Sequence, residues 1–345
     1  MTKNILLTGG CGFIGSHACV SLLQEGYKVH IVDNLYNSNK NIIDKIQLIV
    51  NEEQFQNLTF HYCDLCNYND LEKVFKTISQ VDSVIHFAGL KSVKESVSLP
   101  LLYYYNNLVS TINLLQVMKK YNCFSLIFSS SATVYGNSEP PLSEKTLTGY
   151  GITNPYGKTK YMIEEILKDE YKSHSDWKIV LLRYFNPVGA HPSGIIGEDS
   201  TDIPNNLMPF VMKVAGKQLD KITIFGDDYD THDGTCIRDY IHVMDLAEAH
   251  LLALDRLSQT QLSDVYNVGN NEGFSVREII EVAKKITNKK MDIEIQIRRN
   301  GDPAELIADN QKIKSELNWK SKHSDLDKII SSAWQWEQKL LTFNQ

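Results

Sequence analysis

Short apolar runs alternate with longer amphipathic stretches through the first half of the chain. Apolar runs of this kind bounded by turn residues are typical of buried strands, whereas a period of about 3.6 residues is typical of helices. The predicted strands cover residues 4–8, 29–33, 58–64, 83–88, 125–130 and 178–183, and the predicted helices lie near residues 13–25, 68–79, 101–121 and 156–172. Strands that alternate with helices in this way predict an α/β protein with a parallel, doubly wound sheet.

The pattern changes after Arg183, where the predicted elements become shorter and turn residues become more frequent. This change predicts a smaller C-terminal α/β lobe. A predicted helix at 244–257 and a predicted strand at 265–268 return to the first sheet, so we expect the two lobes to interleave along the chain. The predicted boundaries are residues 1–185 with about 236–270 for the larger lobe, and about 186–235 with 271–345 for the smaller one.

Composition and charge exclude several classes of partner. The formal net charge of -7 over 345 residues argues against nucleic acid, because binding a phosphate backbone requires clustered lysines and arginines. No segment has the roughly 18 to 20 apolar residues of a membrane-spanning helix, and the N-terminal apolar run is too short for a secretion signal. The six cysteines are scattered, as is typical of reduced thiols in a cytoplasmic protein. Cys63 and Cys66 form the one CxxC pair, and without a second pair or a nearby histidine we expect no metal site.

A glycine-rich segment is the first motif that carries chemistry. Residues 9–15 read Gly-Gly-Cys-Gly-Phe-Ile-Gly, directly after a predicted strand and at the start of a predicted helix. Glycine lets the backbone turn sharply and approach a pyrophosphate, which the N–H groups of a helix start can bind. Asp33 ends the second predicted strand, where a carboxylate accepts hydrogen bonds from an adenosine ribose and repels a 2′-phosphate. The motif predicts a Rossmann-type NAD site, against the alternative of a tight turn without a ligand.

Tyr156 and Lys160 form a candidate acid–base pair. They lie four residues apart at the start of a predicted helix, on one face of it, and Ser129–Ser131 end the preceding strand. Lowering a tyrosine pKa from about 10 to about 6 or 7 requires roughly 4 to 5 kcal/mol. A lysine ammonium at ~4 Å contributes about 4 kcal/mol at an effective dielectric near 20, and an oxidised nicotinamide adds a second positive charge. The pair predicts proton transfer at a hydroxyl-bearing carbon; the alternative is a surface helix with an unrelated tyrosine and lysine.

Six segments carry a resemblance to a known family. They are Thr-Gly-Gly-Cys-Gly-Phe-Ile-Gly-Ser-His at 8–17, His-Phe-Ala-Gly-Leu-Lys at 86–91, Ser-Ser-Ser-Ala-Thr-Val-Tyr-Gly at 129–136, Pro-Tyr-Gly-Lys at 155–158, Arg-Tyr-Phe-Asn-Pro-Val-Gly-Ala at 183–190 and Arg-Asp-Tyr-Ile-His-Val at 238–243. With them the chain resembles the extended short-chain dehydrogenase/reductase superfamily and, within it, the UDP-glucose 4-epimerase family along nearly its whole length. The stretch 184–186 and the loop 204–207 distinguish epimerases from general reductases.

The resemblance implies a set of cofactor-binding residues beyond the glycine loop. The residues implied for NAD are Gly9, Gly12, Phe13, Ile14, Gly15, Asp33, Asn34, Leu35, Tyr36, Asn37, Ser38, Asp64, Leu65, Phe87, Ala88, Gly89, Lys91, Asn106, Ser129, Tyr156, Lys160, Tyr184 and Phe185. It also implies that the catalytic residues are Tyr156, Lys160 and Ser131.

The resemblance further implies a UDP-sugar site. The residues implied for the substrate are Lys91, Ser131, Ala132, Thr133, Tyr156, Phe185, Asn186, Asn206, Leu207, Phe225, Arg238, Tyr240, Arg299, Asp302 and Leu306. Charge supports two of them, because the guanidinium groups of Arg238 and Arg299 suit a diphosphate in an otherwise acidic chain. The alternative for each arginine is a solvated ion pair.

The implied reaction is reversible epimerisation at C4 of UDP-glucose and UDP-galactose. Tyr156 takes the proton of the C4 hydroxyl, NAD takes the hydride, and both return to the opposite face of a 4-keto intermediate. Net redox is zero, so NAD stays bound between turnovers. The resemblance also implies a homodimer.

One position departs from the family pattern and leaves the range of substrates open. Leu306 falls where some members carry a tyrosine and others a small residue, so we expect a side activity on UDP-N-acetylhexosamines at reduced efficiency. Three other functions remain as alternatives. A 4,6-dehydratase needs a carboxylate beside Ser131, where this chain has Ala132 and Thr133; a net oxidoreductase would release NADH; and a non-catalytic NAD-sensing protein would have no need of the Tyr-Lys pair.

Overall fold

The computed structural model describes residues 2–199, 204, 206–259, 263–299 and 301–343. In chain order the strands are β1 (Asn4–Thr8), β2 (Lys28–Asp33), β3 (Leu58–Tyr62), β4 (Ser83–His86), β5 (Ser125–Ser131), β6 (Lys178–Tyr184), β7 (Asn186–Val188), β8 (Lys221–Phe225), β9 (Ile237–His242), β10 (Asp264–Val268), β11 (Gly273–Ser275), β12 (Asp292–Gln296) and β13 (Glu305–Leu306). The α-helices are α1 (Phe13–Gln24), α2 (Ile42–Gln47), α3 (Glu52–Phe55), α4 (Tyr68–Thr77), α5 (Val93–Ser98), α6 (Pro100–Tyr104), α7 (Ser110–Lys120), α8 (Pro155–Ser173), α9 (Leu207–Ala215), α10 (Val243–Gln259), α11 (Val276–Thr287), α12 (Gln311–Leu317) and α13 (Leu326–Phe343).

The larger sheet has the strand order β10-β6-β5-β4-β1-β2-β3 among the described residues. The pairs from β3 to β6 are parallel, and their apolar residues, such as Leu6, Val84 and Phe128, are buried in the core beside the helices. The chain builds outward from β1 to β3 and then crosses to β4 on the other side of β1. This reversal is the switch point at which α/β sheets bind ligands beyond the carboxyl ends of their strands. The predicted α/β class with a doubly wound, parallel Rossmann-type sheet is confirmed.

The chain forms two compact units whose segments alternate along the sequence. The first unit comprises Met1–Gly136, Leu147–Tyr184 and Ala247–Tyr266, and the second comprises Asn137–Thr146, Phe185–Leu246 and Asn267–Gln345. The predicted boundaries place residues 137–146 and 236–246 in the larger lobe, but the structure groups both segments with the second unit. The segment 236–246 belongs there because its strand β9 pairs with β7, β11 and β13. The functional division into a cofactor lobe and a substrate lobe stays a prediction.

The second unit has its own small sheets and its own core. Its strands form the order β11-β9-β13, with β7 also paired to β9, and a separate parallel pair of β8 and β12. Helices α9, α11 and α13 pack around a core that includes Val211, Ile222, Ile280 and Ile330. The register places Leu306 directly beside Arg238.

Most predicted elements of the first half are confirmed to within about two residues, but the predicted helix at 101–121 is not continuous. It consists of α6, a single π-helical turn at Tyr105–Val109, and α7. A π turn inserts one extra residue into a helix and is frequent near functional sites. The short helices α2, α3 and α5 were not predicted.

Candidate active site

The glycine loop lies at the carboxyl end of β1 and admits no side chain at two positions. Gly9 has a φ of +68°, and a Cβ there would lie 2.7 Å from the backbone nitrogen of Ala88. A Cβ on Gly15 would overlap the carbonyl oxygen of Gly9. The loop therefore brings β1, the start of α1 and the residues after β4 into close backbone contact.

The N-terminus of α1 is available to an anion. Gly12 occupies the cap position, no side chain of the described residues caps the helix, and its first turn has no acidic residue. The first N–H groups of a helix lack partners within the helix and carry a partial positive charge. The turn at residues 12–15 thus fits a pyrophosphate, because backbone can approach it closely and donate hydrogen bonds to it.

Asp33 is buried at the end of β2 and is held in place by three hydrogen bonds. Its Oδ2 accepts from the backbone nitrogen of Cys11 at 3.0 Å, and its Oδ1 accepts from the Leu35 nitrogen at 2.9 Å and the Ser38 hydroxyl at 3.0 Å. A carboxylate oxygen has two lone pairs, so Oδ2 retains one for a ribose hydroxyl. The carboxylate therefore joins the glycine loop to the loop of Asn34, Leu35, Tyr36, Asn37 and Ser38.

The other implied cofactor residues lie after the neighbouring strands of the same unit. The backbone nitrogens of Phe87 and Ala88 donate to the Thr8 carbonyl at 3.0 and 3.1 Å, which brings the segment from Phe87 to Lys91 beside the glycine loop. Asp64 is exposed after β3 and accepts from the Cys66 nitrogen at 2.8 Å, and the adjacent Leu65 is buried. Asn106 lies in the π turn beside Cys66.

The candidate acid–base residues lie at the start of α8. Asn154 caps this helix by accepting from the Gly157 nitrogen at 2.8 Å, and Pro155 occupies its first turn. Tyr156 is half-buried and Lys160 is buried. The Lys160 ammonium donates to the Ser129 carbonyl at 2.6 Å and lies 6.0 Å from the centre of the Tyr156 ring.

Burial and nearby charges shift the pKa values of both candidate acid–base residues. Burial raises the pKa of Tyr156, while a hydrogen bond with Ser131 and the positive charge of Lys91 oppose the rise. Burial also lowers the pKa of Lys160 to about 8, and the negative charge of Glu164 opposes that shift. The Lys160 ammonium lies near the phenol ring and donates to the Ser129 carbonyl. Its direct effect on the acidity of the phenol stays a prediction.

Two of the implied residues at the ends of β5 and β6 lie near Tyr156, because Ser131 is hydrogen-bonded to it and its charge acts on Tyr184. The Ser131 hydroxyl accepts from the Thr133 nitrogen at 3.2 Å and from the Thr133 hydroxyl at 3.0 Å, and Ala132 begins the short 3-10 turn that follows. Tyr184 is buried at the end of β6, where its hydroxyl lies 2.5 Å from His250 Nε2.

Two arginines of the second unit are stacked on aromatic rings. The Arg299 guanidinium lies 4.0 Å from the centre of the Phe225 ring, and Arg298 lies 4.1 Å from the Tyr229 ring. Burial raises the pKa of Tyr229, with Asp302 adding to the rise and Arg238 opposing it, so both charges lie near this ring. Phe225, Arg238, Arg299 and Asp302 were implied by the resemblance. The sequence offered no signal for Arg298 or Tyr229, apart from the position of Arg298 beside Arg299.

The remaining implied substrate residues are spread over the second unit. Asn186 donates to the Asp239 carbonyl at 2.9 Å, and Phe185 and Tyr240 are buried. Asn206 is exposed just before α9, which begins at Leu207, and donates to Glu198 at 3.2 Å. Asn205, part of the loop that distinguishes the family, lies outside the described residues.

Sequence reasoning missed a buried ion pair beside the acid–base residues. Arg183 on β6 donates through Nε and Nη2 to Glu164 on α8, at 2.9 and 2.6 Å. A signal for it existed, because Glu164 follows Tyr156 and Lys160 at the same four-residue spacing.

The described part of the chain lacks two further features. It contains no group of three or more His, Cys, Asp or Glu side chains that could hold a metal ion, and Cys63 and Cys66 are free thiols. None of its helices is long and apolar enough to cross a membrane.

Comparison with known proteins gives a family and close relatives. Residues 5–269 match the NAD dependent epimerase/dehydratase family. UDP-glucose 4-epimerase 2 of Arabidopsis thaliana is 48% identical over 338 residues, which cover 97% of this chain and 95% of the relative. The crystal structure of UDP-glucose 4-epimerase from Bifidobacterium longum in complex with NAD+ and UDP has a TM-score of 0.93 and 46% identity and covers 98% of both chains. The UDP-Glc/GlcNAc 4-epimerase of Campylobacter jejuni has a TM-score of 0.83 and 38% identity, covering 98% of this chain and 99% of the other.

Proposed function

This chain belongs to the NAD dependent epimerase/dehydratase family, and we propose that it acts as a UDP-glucose 4-epimerase that interconverts UDP-glucose and UDP-galactose. The observation that carries the proposal is the arrangement of Tyr156, Ser131 and Lys160 at the carboxyl end of β5, in the same parallel sheet whose β1 leads into the glycine loop. The similarity to enzymes of this name extends over nearly the whole chain, including the second unit.

NAD is the cofactor of the family, and the first unit fits it. The uncapped start of α1 suits the pyrophosphate, and the free lone pair of Asp33 suits the adenosine ribose. We assign the remaining implied residues around the loops after β3 and β4 to the same cofactor. When bound, NAD supplies a hydride acceptor and donor; the residues of the chain supply the proton transfer and the orientation.

Tyr156 is the acid–base residue of the proposed mechanism. Its phenol oxygen takes the proton of the C4 hydroxyl and later returns a proton to the oxygen of the 4-keto intermediate. Ser131 is hydrogen-bonded to this oxygen, and this bond orients the proton between the Ser131 and Tyr156 hydroxyl groups. Since burial alone raises the pKa of Tyr156, positive charge is needed to stabilise the phenolate, and Lys91 and Lys160 are the cations on this side of the unit.

The second unit is the proposed holder of the UDP moiety. The Arg299 guanidinium lies over the Phe225 ring and is exposed, so its forked donors are accessible to a diphosphate. Arg238, Asp302 and the implied asparagines would complete the nucleotide contacts. Because the 4-keto sugar must turn over before the proton returns, most of the affinity should come from UDP rather than from the hexose.

Leu306 is the proposed determinant of hexose range. It is half-buried on β13 beside Arg238, and leucine is smaller than the tyrosine of some family members. We therefore propose a slower side activity on UDP-N-acetylhexosamines, and the similarity to an enzyme described as a UDP-Glc/GlcNAc 4-epimerase supports it.

We also propose a cytoplasmic homodimer. The segment from α5 to α7 exposes several large apolar side chains, with Val97, Leu101 and Tyr105 exposed at 61%, 81% and 61%. Large exposed apolar patches mark association surfaces, and a second copy of the chain would cover this one. The free cysteines of the structure are those of a reducing compartment.

One assay tests the function and separates it from the alternatives. The purified chain is incubated with UDP-galactose, the UDP-sugars are separated, and the nicotinamide absorbance is followed in the same sample. An epimerase yields UDP-glucose with no net formation of NADH. Steady NADH formation identifies a net oxidoreductase, a 4-keto-6-deoxy product identifies a dehydratase, and NAD binding without turnover identifies a sensor; each of these three results overturns the proposal.

A further inference from the structure

Three consecutive serines at the end of β5 each contact one residue of α8. The Ser129 carbonyl accepts from Lys160 at 2.6 Å, the Ser130 hydroxyl donates to Glu164 at 2.6 Å, and the Ser131 hydroxyl is hydrogen-bonded to Tyr156. The three helix residues recur every four positions, so they lie on one face of α8. The strand and the helix are therefore joined by a row of three polar contacts, of which the proposed mechanism uses only two.

Glu164 is the most completely enclosed member of this row. Its side chain is 0% exposed, and Arg183 donates to both of its oxygens, through Nε at 2.9 Å and Nη2 at 2.6 Å. Arg183 is itself buried and donates through Nη1 to the Tyr135 hydroxyl at 2.9 Å. Ser130 and Arg183 are direct neighbours in the register of β5 and β6. One carboxylate thus ties α8 to both strands at the same level.

The groups around Lys160 make the charge of this carboxylate significant. β5 presents the Ser129 carbonyl and, 4.8 Å from the ammonium, the centre of the Phe128 ring. β4 presents His86, whose burial and proximity to Lys160 lower its pKa to about 3, so it is neutral. On α8 itself lie the phenol of Tyr156 and the carboxylate of Glu164. That carboxylate is paired with Arg183 of β6 at 2.6 Å and lies 3.9 Å from the partly exposed Lys168 ammonium. The negative charge of Glu164 raises the pKa of Lys160 and so opposes the effect of burial.

Stability alone is a weak reason for a charge at this position. Burying an ion pair costs several kcal/mol per ion, and well-packed apolar residues often stabilise a fold as well or better. A buried carboxylate therefore indicates a role beyond stability when a neighbouring group depends on its negative charge. Lys160, one helical turn away, is such a group.

We propose that Glu164 is a positioning residue for Lys160: clamped by Ser130 and Arg183, it fixes α8 against β5 and β6 and keeps the lysine side chain cationic and directed at the Ser129 carbonyl. This inference rests on the proposed function and names a residue outside the Tyr-Lys-Ser set. Burial lowers the pKa of Lys160 and Glu164 opposes it, so removing the negative charge lowers that pKa further. The lysine then loses its proton at a lower pH. Activity that depends on the ammonium therefore falls first at alkaline pH.

The test replaces Glu164 by glutamine, which keeps the shape and an acceptor for Ser130 but removes the charge. We expect the alkaline limb of the kcat/KM profile to move down by about one pH unit or more, and activity at alkaline pH to fall about tenfold or more relative to neutral pH. A carbon-13 NMR titration of labelled lysines, with Lys160 identified by its loss in Lys160→Arg, should show the same downward shift without any turnover. Glu164→Asp, which retains the charge, should restore most of the profile.

The matched control is Asp169→Asn on the same helix, whose exposed carboxylate pairs at the surface with Lys172 at 3.5 Å. Its pH profile should coincide with that of the wild-type chain. If Glu164→Gln does not fold, Glu164→Gln combined with Arg183→Met removes the unpaired arginine as well, and the same downward shift is expected. A pH-independent loss of activity, or an unchanged Lys160 titration in whichever variant folds, overturns the inference. A wild-type chain that binds NAD but does not epimerise UDP-galactose overturns the proposed function instead.

Discussion

Charged side chains are buried in the candidate region of the first unit and exposed in that of the second. In the first unit Lys160, Glu164 and Arg183 are buried, and each has a fixed partner on a neighbouring element. In the second unit Arg298 and Arg299 are exposed and lie over aromatic rings. Arg298 is also held by the Asp228 carboxylate at 2.6 Å, whereas Arg299 is located by its contact with the Phe225 ring.

This difference corresponds to two kinds of task. Proton transfer depends strongly on distance and angle, so the groups that perform it need a rigid, desolvated setting. Binding a diphosphate needs donors of the right sign that can adjust to a mobile ligand, and a stacked arginine loses little conformational freedom while its N–H groups stay accessible. Substitutions in the first region should therefore change turnover, and those in the second should change affinity.

The strongest test of the first region is Tyr156→Phe. Loss of the phenol oxygen should lower kcat about 10²- to 10⁴-fold, because general acid–base help is worth that much. NAD content and the affinity for UDP should stay near the wild-type values, since the glycine loop and the stacked arginines are unchanged. Steady-state kinetics and calorimetric titration with UDP measure the two quantities. Near-normal turnover would eliminate the assigned role.

Gly15→Ala should separate cofactor retention from substrate binding. The added Cβ overlaps the Gly9 carbonyl, and relieving a backbone overlap of this kind costs about 1 to 3 kcal/mol. If this cost falls on the cofactor site, NAD binding weakens roughly 5- to 150-fold. The nicotinamide content after gel filtration measures the effect, and the wild-type chain should carry NAD without any addition. Gly216→Ala in the second unit is the control, because the nearest neighbour of its Cβ lies 3.3 Å away. Equal NAD content in both variants would refute the tight-loop assignment.

Arg299→Ala should weaken UDP binding about tenfold while leaving kcat within a small factor, because a charged hydrogen bond is worth about 1.5 kcal/mol at its lower limit. The loss should shrink as salt is added, since exposed charges are screened. Lys221→Ala is a suitable control, because that exposed lysine lies on neighbouring β8 and pairs with Glu294 at 2.8 Å. An equal loss of affinity in both variants would mean that general charge, rather than the stacked arginine, attracts UDP.

The smallest expected effect concerns Leu306. Leu306→Tyr should lower the ratio of UDP-GlcNAc to UDP-glucose turnover by about fivefold to tenfold, since filling a pocket by a few atoms changes discrimination by about 1 kcal/mol or more. Competition assays with both sugars in one sample measure this ratio directly. If the wild-type chain does not turn over UDP-GlcNAc at all, the proposed side activity is wrong.

Much of the fold was predictable because it depends on local patterns. Alternating strands and helices gave β1 to β6, α1, α4 and α8, and the glycines and Asp33 ended up together because the carboxyl ends of parallel strands meet at one edge. The grouping of residues 137–146 and of β9 with the second unit was not predictable, because it depends on strand partners far away in the sequence. The apolar spacing at 101–121 likewise gave no sign of one inserted residue.

The candidate site likewise has features that the sequence predicts and features that it does not. The four-residue spacing of Tyr156 and Lys160 identified one face of a helix, but not the direction of the lysine, which is decided by the Ser129 carbonyl and by burial. The stacking of Arg298 on Tyr229 joins residues on separate segments of the second unit, and no local pattern encodes such a pair. Residue types are thus readable from the sequence, whereas their partners follow from packing.

The π turn at Tyr105–Val109 adds one residue between α6 and α7, and one residue turns a helix by roughly 100°. The buried positions Tyr103, Asn107, Ser110, Leu114 and Met118 nevertheless recur every three or four residues, so one buried face continues from α6 into α7. Leu101 and Tyr105 face solvent, while Leu114 and Met118 enter the core. The segment from α6 to α7 thus contributes exposed side chains and core side chains at once. Deleting one residue of the π turn would rotate one set relative to the other by roughly 100°.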